Sequence, residues 1–353
     1  MLSADIAPPL GRAIAEGVGI ACLTWLLSRL LSDPRNPWQV WDHPNARSLH
    51  AHPTPRVGGI AILIGGVIGF ALLPEHPAPG LLVALGALGA IAILSWLDDR
   101  RGVSPRLRLL VHGVAACVAV LACARWPVAV LPGIRFPLAA PWAVALMTVF
   151  LVWTINLYNF MDGMDGFAGG MAVCGFGALA ALALRAQDLG YARAALVIAF
   201  SALGFTISNF PPARLFMGDL GATTLGFAAG LMILIGAERG DFPVWAGLVV
   251  FSPFFVDATA TLIRRLVRGE HPMAAHREHY YQRAVRLGFG HRSVVLGEYA
   301  LMALCAAGAY LALGRPAGVQ WAILAALAAL YAFLARWIRH REGHGHNAQK
   351  ASG

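Results

Sequence analysis

Eleven apolar stretches joined by short polar loops constrain this chain more than any other feature. They fall at roughly 11-31, 57-73, 80-97, 107-125, 141-159, 165-185, 191-209, 220-237, 243-263, 293-314 and 317-338. A helix needs about 20 apolar residues to cross a bilayer. Of the 353 residues, 58% are hydrophobic and 13% charged, whereas about a quarter of a soluble domain is charged. The expected fold is an all-α, polytopic membrane bundle of about 11 transmembrane helices. It forms one integral-membrane domain over 1-338, followed by a polar, disordered cytoplasmic tail over 339-353. The first stretch has no basic region before it and no clear cleavage site after it, so it reads as a retained helix.

The net charge of +9 has its ordinary explanation in loop arginines that set topology and meet anionic lipid. No nucleic-acid motif accompanies it. One side of the bundle collects Arg35, Arg47, Arg56, Arg100, Arg101, Arg106, Arg108, Arg214, the arginines from Arg264 to Arg292, and the basic tail. The other clearly holds only Arg135, Arg239 and Arg315. The basic side is therefore expected to be cytoplasmic, with the N-terminus periplasmic. The five cysteines all fall in apolar segments without metal-type spacing and read as small buried hydrophobes.

Every polar motif lands on the basic side. Asp98-Asp99 closes the third stretch and is followed at once by Arg100, Arg101, Arg106 and Arg108. Adjacent carboxylates stay ionised together only beside cations or strong donors. Next comes a comb, Asn156-Leu-Tyr-Asn159-Phe-Met-Asp162-Gly-Met-Asp165-Gly166. Its polar groups recur every third residue and project to one region of a helix. Such oxygens suit a hard cation like Mg2+, and polar inter-helix glue is the plainer alternative. Asp219 follows Asn209-Phe-Pro-Pro-Ala-Arg-Leu-Phe-Met-Gly at the start of a helix, where it can serve as a cap or help receive phosphate. The longest cytoplasmic loop carries His276-Arg277-Glu278-His279-Tyr280-Tyr281-Gln282-Arg283. That order is not a zinc-protease helix, and its arginines favour an anion. A proline-punctuated loop from Asp42 to Gly59, with Asn45, Arg47, Ser48, His50 and Arg56, leads into the second stretch. Carboxylates for a metal and guanidiniums for phosphates, at one face of an apolar bundle, are the equipment for phosphoryl transfer to a lipid.

From about Asp42 to Arg283 these motifs, in this order, resemble the polyprenyl-phosphate N-acetylhexosamine-1-phosphate transferases. The resemblance implies transfer of an N-acetylated amino-sugar-1-phosphate from a UDP-sugar to undecaprenyl phosphate, releasing UMP, in the bacterial inner membrane. It implies Mg2+, for which Mn2+ can substitute. Asp98 would be the base, assisted by Asp99. Asp219 would be the principal metal ligand, helped by Asn159. Asp165 and Asn209 would meet the uridine, with Asp162 in support. Arg108 and Arg56 would meet phosphates, and His276, Arg277 and His279 the diphosphate or sugar. Relatives of this kind suggest a homodimer.

The late motif departs from the three-histidine run of the lipid I enzyme, and Pro55-Arg56 stands where that enzyme has Met. An O-antigen or other envelope-glycan initiator is the better match, with a lipid I enzyme as the alternative. A secondary transporter is the rival of another class. It predicts midplane acids and repeated halves, whereas these acids sit at stretch ends.

Overall fold

The computed structural model describes residues 7-44, 52-74, 78-123, 125, 129-271 and 276-351. Asn45, Arg47, Ser48 and His50 of the proline-punctuated loop lie outside the described residues. In chain order the elements are α1 (Ala7–Leu31), β1 (Trp41–Asp42), β2 (Thr54–Pro55), α2 (Gly58–Ala71), α3 (Pro79–Arg101), α4 (Pro105–Cys123), β3 (Ala129–Leu131), β4 (Ile134–Arg135), α5 (Ala140–Met161), α6 (Phe167–Arg185), α7 (Leu189–Asn209), α8 (Gly218–Arg239), α9 (Val244–Val250), α10 (Ser252–Val267), α11 (Tyr280–Arg286), α12 (His291–Ala312) and α13 (Ala317–Ala351). The strands form two antiparallel pairs, β1 with β2 and β3 with β4.

Each of the eleven apolar stretches is helical, but they are not equal spans. Among the described residues nine helices are long and apolar enough to cross alone, and α9 with α10 makes a tenth when counted together. That pair is bent by 83°. Pro253 lies in the first turn of α10, where it has no N–H to continue the ladder. The remaining stretch, α2, has 14 residues, only about 21 Å of helix at 1.5 Å per residue. Its first amides are tied down: Gly58 N donates to Phe216 O (2.9 Å) and Gly59 N to Met217 O (2.8 Å).

Helix α13 does not stop at 338, where the sequence reading placed a disordered tail. It continues to Ala351, and Glu342 in this extension accepts from Arg283 Nε at 2.8 Å. The polar composition of the tail gave no sign of that partner.

The bundle is built around α8, with 83% of its apolar window buried against 6% for α13. Val67, Ile93, Leu110, Leu121 and Trp142 are exposed on the outer helices, where lipid rather than water is the expected solvent. Beneath the polar motifs, Phe254 packs on Tyr158 (5.0 Å between centroids) and Phe167 (4.8 Å), and Phe167 on Tyr281 (4.7 Å). This stack locks α5, α6, α10 and α11 together.

At the far end of α8 lies a smaller charged group. Asp188 caps α7 by accepting from Tyr191 N (2.8 Å). Arg239 pairs with Asp188 and, at 4.0 Å, with Asp241. Burial pushes the Asp241 carboxyl up to about 6, and the Asp188 charge pushes the same way against Arg239. Arg185 belongs to this end as well, donating to Leu313 O at 2.7 Å, an arginine the loop count had not placed there.

Candidate active site

The first half of the site forms where α3 turns into α4. Gly102, at φ +71°, ends α3, and Pro105 opens α4. The reversal brings Arg108 back over the preceding helix end, with Nη1 at 2.9 Å from Asp98 Oδ2 and 3.6 Å from Asp219 Oδ2. Asp98 Oδ1 accepts from Val103 N at 2.6 Å. One guanidinium thus bridges the acid ending α3 and the acid opening α8.

Asp99 does something different. It is 4% exposed, and its two oxygens accept from the backbone N–H groups of Asp219 and Leu220, each at 3.2 Å. It satisfies two of the donors that a helix N-terminus leaves over and sits at the favourable end of the helix dipole. Arg56 completes the clasp, donating from Nη2 to Asp99 O at 2.6 Å, with Nε at 3.7 Å from Asp99 Oδ1. Asp99 therefore holds α8, and with it Asp219, in place.

The comb supplies the second half. Asn156 turns away, donating to Val152 O of its own helix at 2.7 Å. Asn159 lies half-buried in the last turn of α5, and Asp162 ends that helix. Asp165 Oδ2 accepts from Ala213 N (3.0 Å). Asn209 Oδ1 accepts from Gly166 N (2.8 Å) while its Nδ2 donates to Leu215 O (2.9 Å). The geometry thus gives Asp165 and Asn209 a plain task, pinning the 210-217 loop to the comb so that it delivers Asp219. Burial pushes the Asp162 carboxyl up to about 8, and the charges of Asp219, Asp99, Asp165 and Asp42 push in the same direction.

The late motif closes the site from α10 and α11. Tyr281 is the bridge, because its hydroxyl lies 2.3 Å from where a Cβ on Gly163 would stand. His276 and His279 are ring neighbours (4.9 Å), and Glu278 N donates to His276 Nδ1 at 3.3 Å. Arg277 between them is half-buried. Burial raises the Glu278 carboxyl, but the hydrogen bond from Arg268 and the charges of Arg268 and Arg264 outweigh it and leave the group below its ordinary value.

Sequence reading missed Asp257. Its Oδ1 lies 3.2 Å from His279 Nδ1 and accepts from Tyr280 N (2.9 Å) and Thr261 Oγ1 (3.1 Å), while Oδ2 accepts from Tyr281 N (3.3 Å). One carboxylate therefore fixes the entry of α11 and the ring of His279. The available signal was an acid inside an otherwise apolar stretch, which is costly unless it has work to do.

Among the described residues no three His, Cys, Asp or Glu side chains converge as a ready-made metal cage. Mg2+ does not need one, since it keeps several waters and takes one or two carboxylates with substrate phosphates. The donor set fits it: Asp98 and Asp219 share the Arg108 guanidinium and Asp99 lies beside Arg56, while the repulsion that Asp219, Asp99 and Asp165 exert on Asp162 is what a divalent cation relieves.

Residues 81–237, from α3 to the last residues of α8, match the model of glycosyl transferase family 4. The chain is 30% identical over 264 residues to a probable undecaprenyl-phosphate N-acetylglucosaminyl 1-phosphate transferase of Bacillus subtilis (strain 168), covering 73% of each chain. The chain belongs to glycosyl transferase family 4. It is also 30% identical to an undecaprenyl-phosphate alpha-N-acetylglucosaminyl 1-phosphate transferase of Yersinia pestis, over 75% of this chain and 74% of the relative. A decaprenyl-phosphate N-acetylglucosaminephosphotransferase of Mycobacterium leprae (strain TN) is 29% identical over 85% and 84%. The family segment contains Asp98, Asp99, Arg108, the comb, Asn209 and Asp219. Arg56 and the late motif lie outside it.

Proposed function

We propose that the protein transfers an N-acetylated amino-sugar-1-phosphate, N-acetylglucosamine 1-phosphate being the first to test, from a UDP-sugar to undecaprenyl phosphate. The product would initiate O-antigen or another envelope glycan at a bacterial inner membrane. The observation that carries this reading is the bridging of Asp98 and Asp219 by Arg108 at the end of an apolar bundle. Asp98, Asp99, Asp162, Asp165 and Asp219 gather at helix ends on one side, which is poor placement for the midplane path of a transporter.

In this reading an oxygen of the lipid phosphate attacks the sugar-linked phosphorus. The phosphorus–oxygen bond to UMP breaks, and UMP leaves with the electron pair. Asp98 takes the proton of the lipid phosphate, and Arg108, with Nη1 at 2.9 Å from Asp98 Oδ2, holds the attacking group beside it. Asp99 and Arg56 keep α8 in register. Arg277 and His276 receive the donor's diphosphate or sugar, with His279 and Asp257 fixing that loop. When bound at Asp219, with Asn159 in support, Mg2+ would neutralise the charge gathering on the phosphates.

The test is radiolabel transfer in detergent with undecaprenyl phosphate, Mg2+ and a panel of UDP-amino sugars. Lipid-extractable label that disappears with EDTA and in Asp98→Asn is the expected result. No transfer with any sugar, from demonstrably folded protein, would overturn the reading.

A further inference from the structure

His112 is a group the reaction above leaves without a task. It lies on α4 one helical turn beyond Arg108 and on the same face, about 6 Å deeper along the helix axis. It heads the buried stripe His112, Ala115, Ala116, Ala119 and Val120. The residue is 3% exposed, yet neither Nδ1 nor Nε2 has a hydrogen-bond partner among the described residues. The charges that act on the ring are those of Arg108 and Asp98.

A buried imidazole with both nitrogens unpaired is unusual, because an unsatisfied polar group costs stability. The neighbouring polar groups at that depth show the normal solution. One turn beneath Asp99 and Asp219, Ser95 Oγ and Thr223 Oγ1 hydrogen-bond each other at 2.8 Å, and Thr223 Oγ1 donates to Asp219 O at 2.7 Å. That pair is complete without a ligand, and His112, one turn beneath Arg108, is not.

We propose that His112 is a further contact for the acceptor, donating a ring N–H to a phosphate oxygen of the lipid monophosphate held by Arg108. The depth selects the acceptor over the donor. A nucleotide sugar is water-soluble and enters from the aqueous side. A polyprenyl phosphate keeps its chain in the bilayer, and at the depth of His112 helix α4 is apolar and exposed on its opposite face at Leu110 and Val114, with Leu109 exposed between the two faces. An imidazole one turn below Arg108 thus meets the phosphate that arrives with a lipid tail. The proposal rests on the transferase reading.

The experiment measures initial rates with each substrate varied in turn, for wild type, His112→Leu, His112→Met and His112→Gln, with melting temperatures in detergent. In the apolar variants the acceptor KM should rise about tenfold to a hundredfold, as for a lost hydrogen bond to a charged group. The donor KM should stay unchanged, and His112→Gln, which keeps an N–H donor, should recover most of the loss. A folded apolar variant with unchanged acceptor KM, or with both KM values raised alike, would overturn the assignment. If neither apolar variant folds while His112→Gln does, the ring belongs to the fold and the proposal falls. Absence of transfer by wild type would instead sink the transferase reading itself.

Discussion

The two ends of α8 carry similar groups in opposite settings. Each is marked by a glycine in the left-handed region, Gly218 at φ +73° and Gly240 at +82°, and each meets a buried carboxylate. At the N-terminus Asp99 receives two backbone N–H groups and lies beside Arg56. At the C-terminus Asp241 meets the carbonyl end of the helix, has the Asp188 carboxylate for a neighbour, and reaches Arg239 at 4.0 Å. The helix dipole favours the first acid and opposes the second. The first carboxylate is tied into the helix start by two backbone donors, whereas the second has a single cation at 4.0 Å to set against a neighbouring acid.

The largest effect that would break this contrast is at Asp219. Asp219→Asn should lower transfer by roughly 10³-fold, the scale of losing a principal charge-stabilising group, with little change in melting. Normal turnover at ordinary Mg2+ would remove Asp219 from the metal site. Next is Asp99→Asn. Its new amide nitrogen would face a backbone N–H, so α8 should shift and carry Asp219 with it. About a 10²-fold loss of turnover is expected, as for a small misplacement of reacting groups, together with a lower melting temperature. A loss of activity without any loss of stability would make Asp99 a direct participant in the chemistry.

Gly218 and Gly240 separate the two helix ends directly. Alanine at either position meets the left-handed backbone penalty of about 1–2 kcal/mol. At Gly240 nothing lies within 4 Å of the new Cβ, whereas at Gly218 it would stand 2.7 Å from Arg56 O and 2.9 Å from Asp99 Oδ2. Gly240→Ala should lower melting and leave kcat alone. Gly218→Ala should do both, with turnover down about tenfold or more. Equal kinetic effects would mean that the clasp around Arg56 and Asp99 does not set catalytic geometry.

Much of this end was legible in the sequence, because intramembrane acids are rare enough to announce themselves. Asp98, Asp162, Asp165 and Asp219 are all found around one helix end, as the comb and the Asp-Asp pair implied. Which acid acts on substrate and which on the fold was not legible. Asp99, Asp165 and Asn209 meet backbone groups 120, 48 and 43 residues away in sequence, and no local pattern encodes that. Asp257 stayed hidden because a single acid in an apolar run shows no spacing. The break between α9 and α10 was invisible to a length count, since two short apolar helices and one long one share the same composition.

The smallest effect is expected at the other end of α8, and its sign is the informative part. An aspartate in the unfolded chain titrates near 3.9, and Asp241 in the fold titrates at about 6. Between those values the native state holds more proton than the unfolded one, so stability falls as pH rises through that window and the penalty is complete above it. Asp241→Asn removes the titration while keeping the shape. The variant should therefore melt a few degrees above wild type at about pH 7.5 and level with it at about pH 4, with unchanged transfer activity. Wild type melting higher at neutral pH would show that the ion pair with Arg239 outweighs burial and the Asp188 charge. Arg239 would then do for Asp241 at one end of α8 what two backbone donors and Arg56 do for Asp99 at the other.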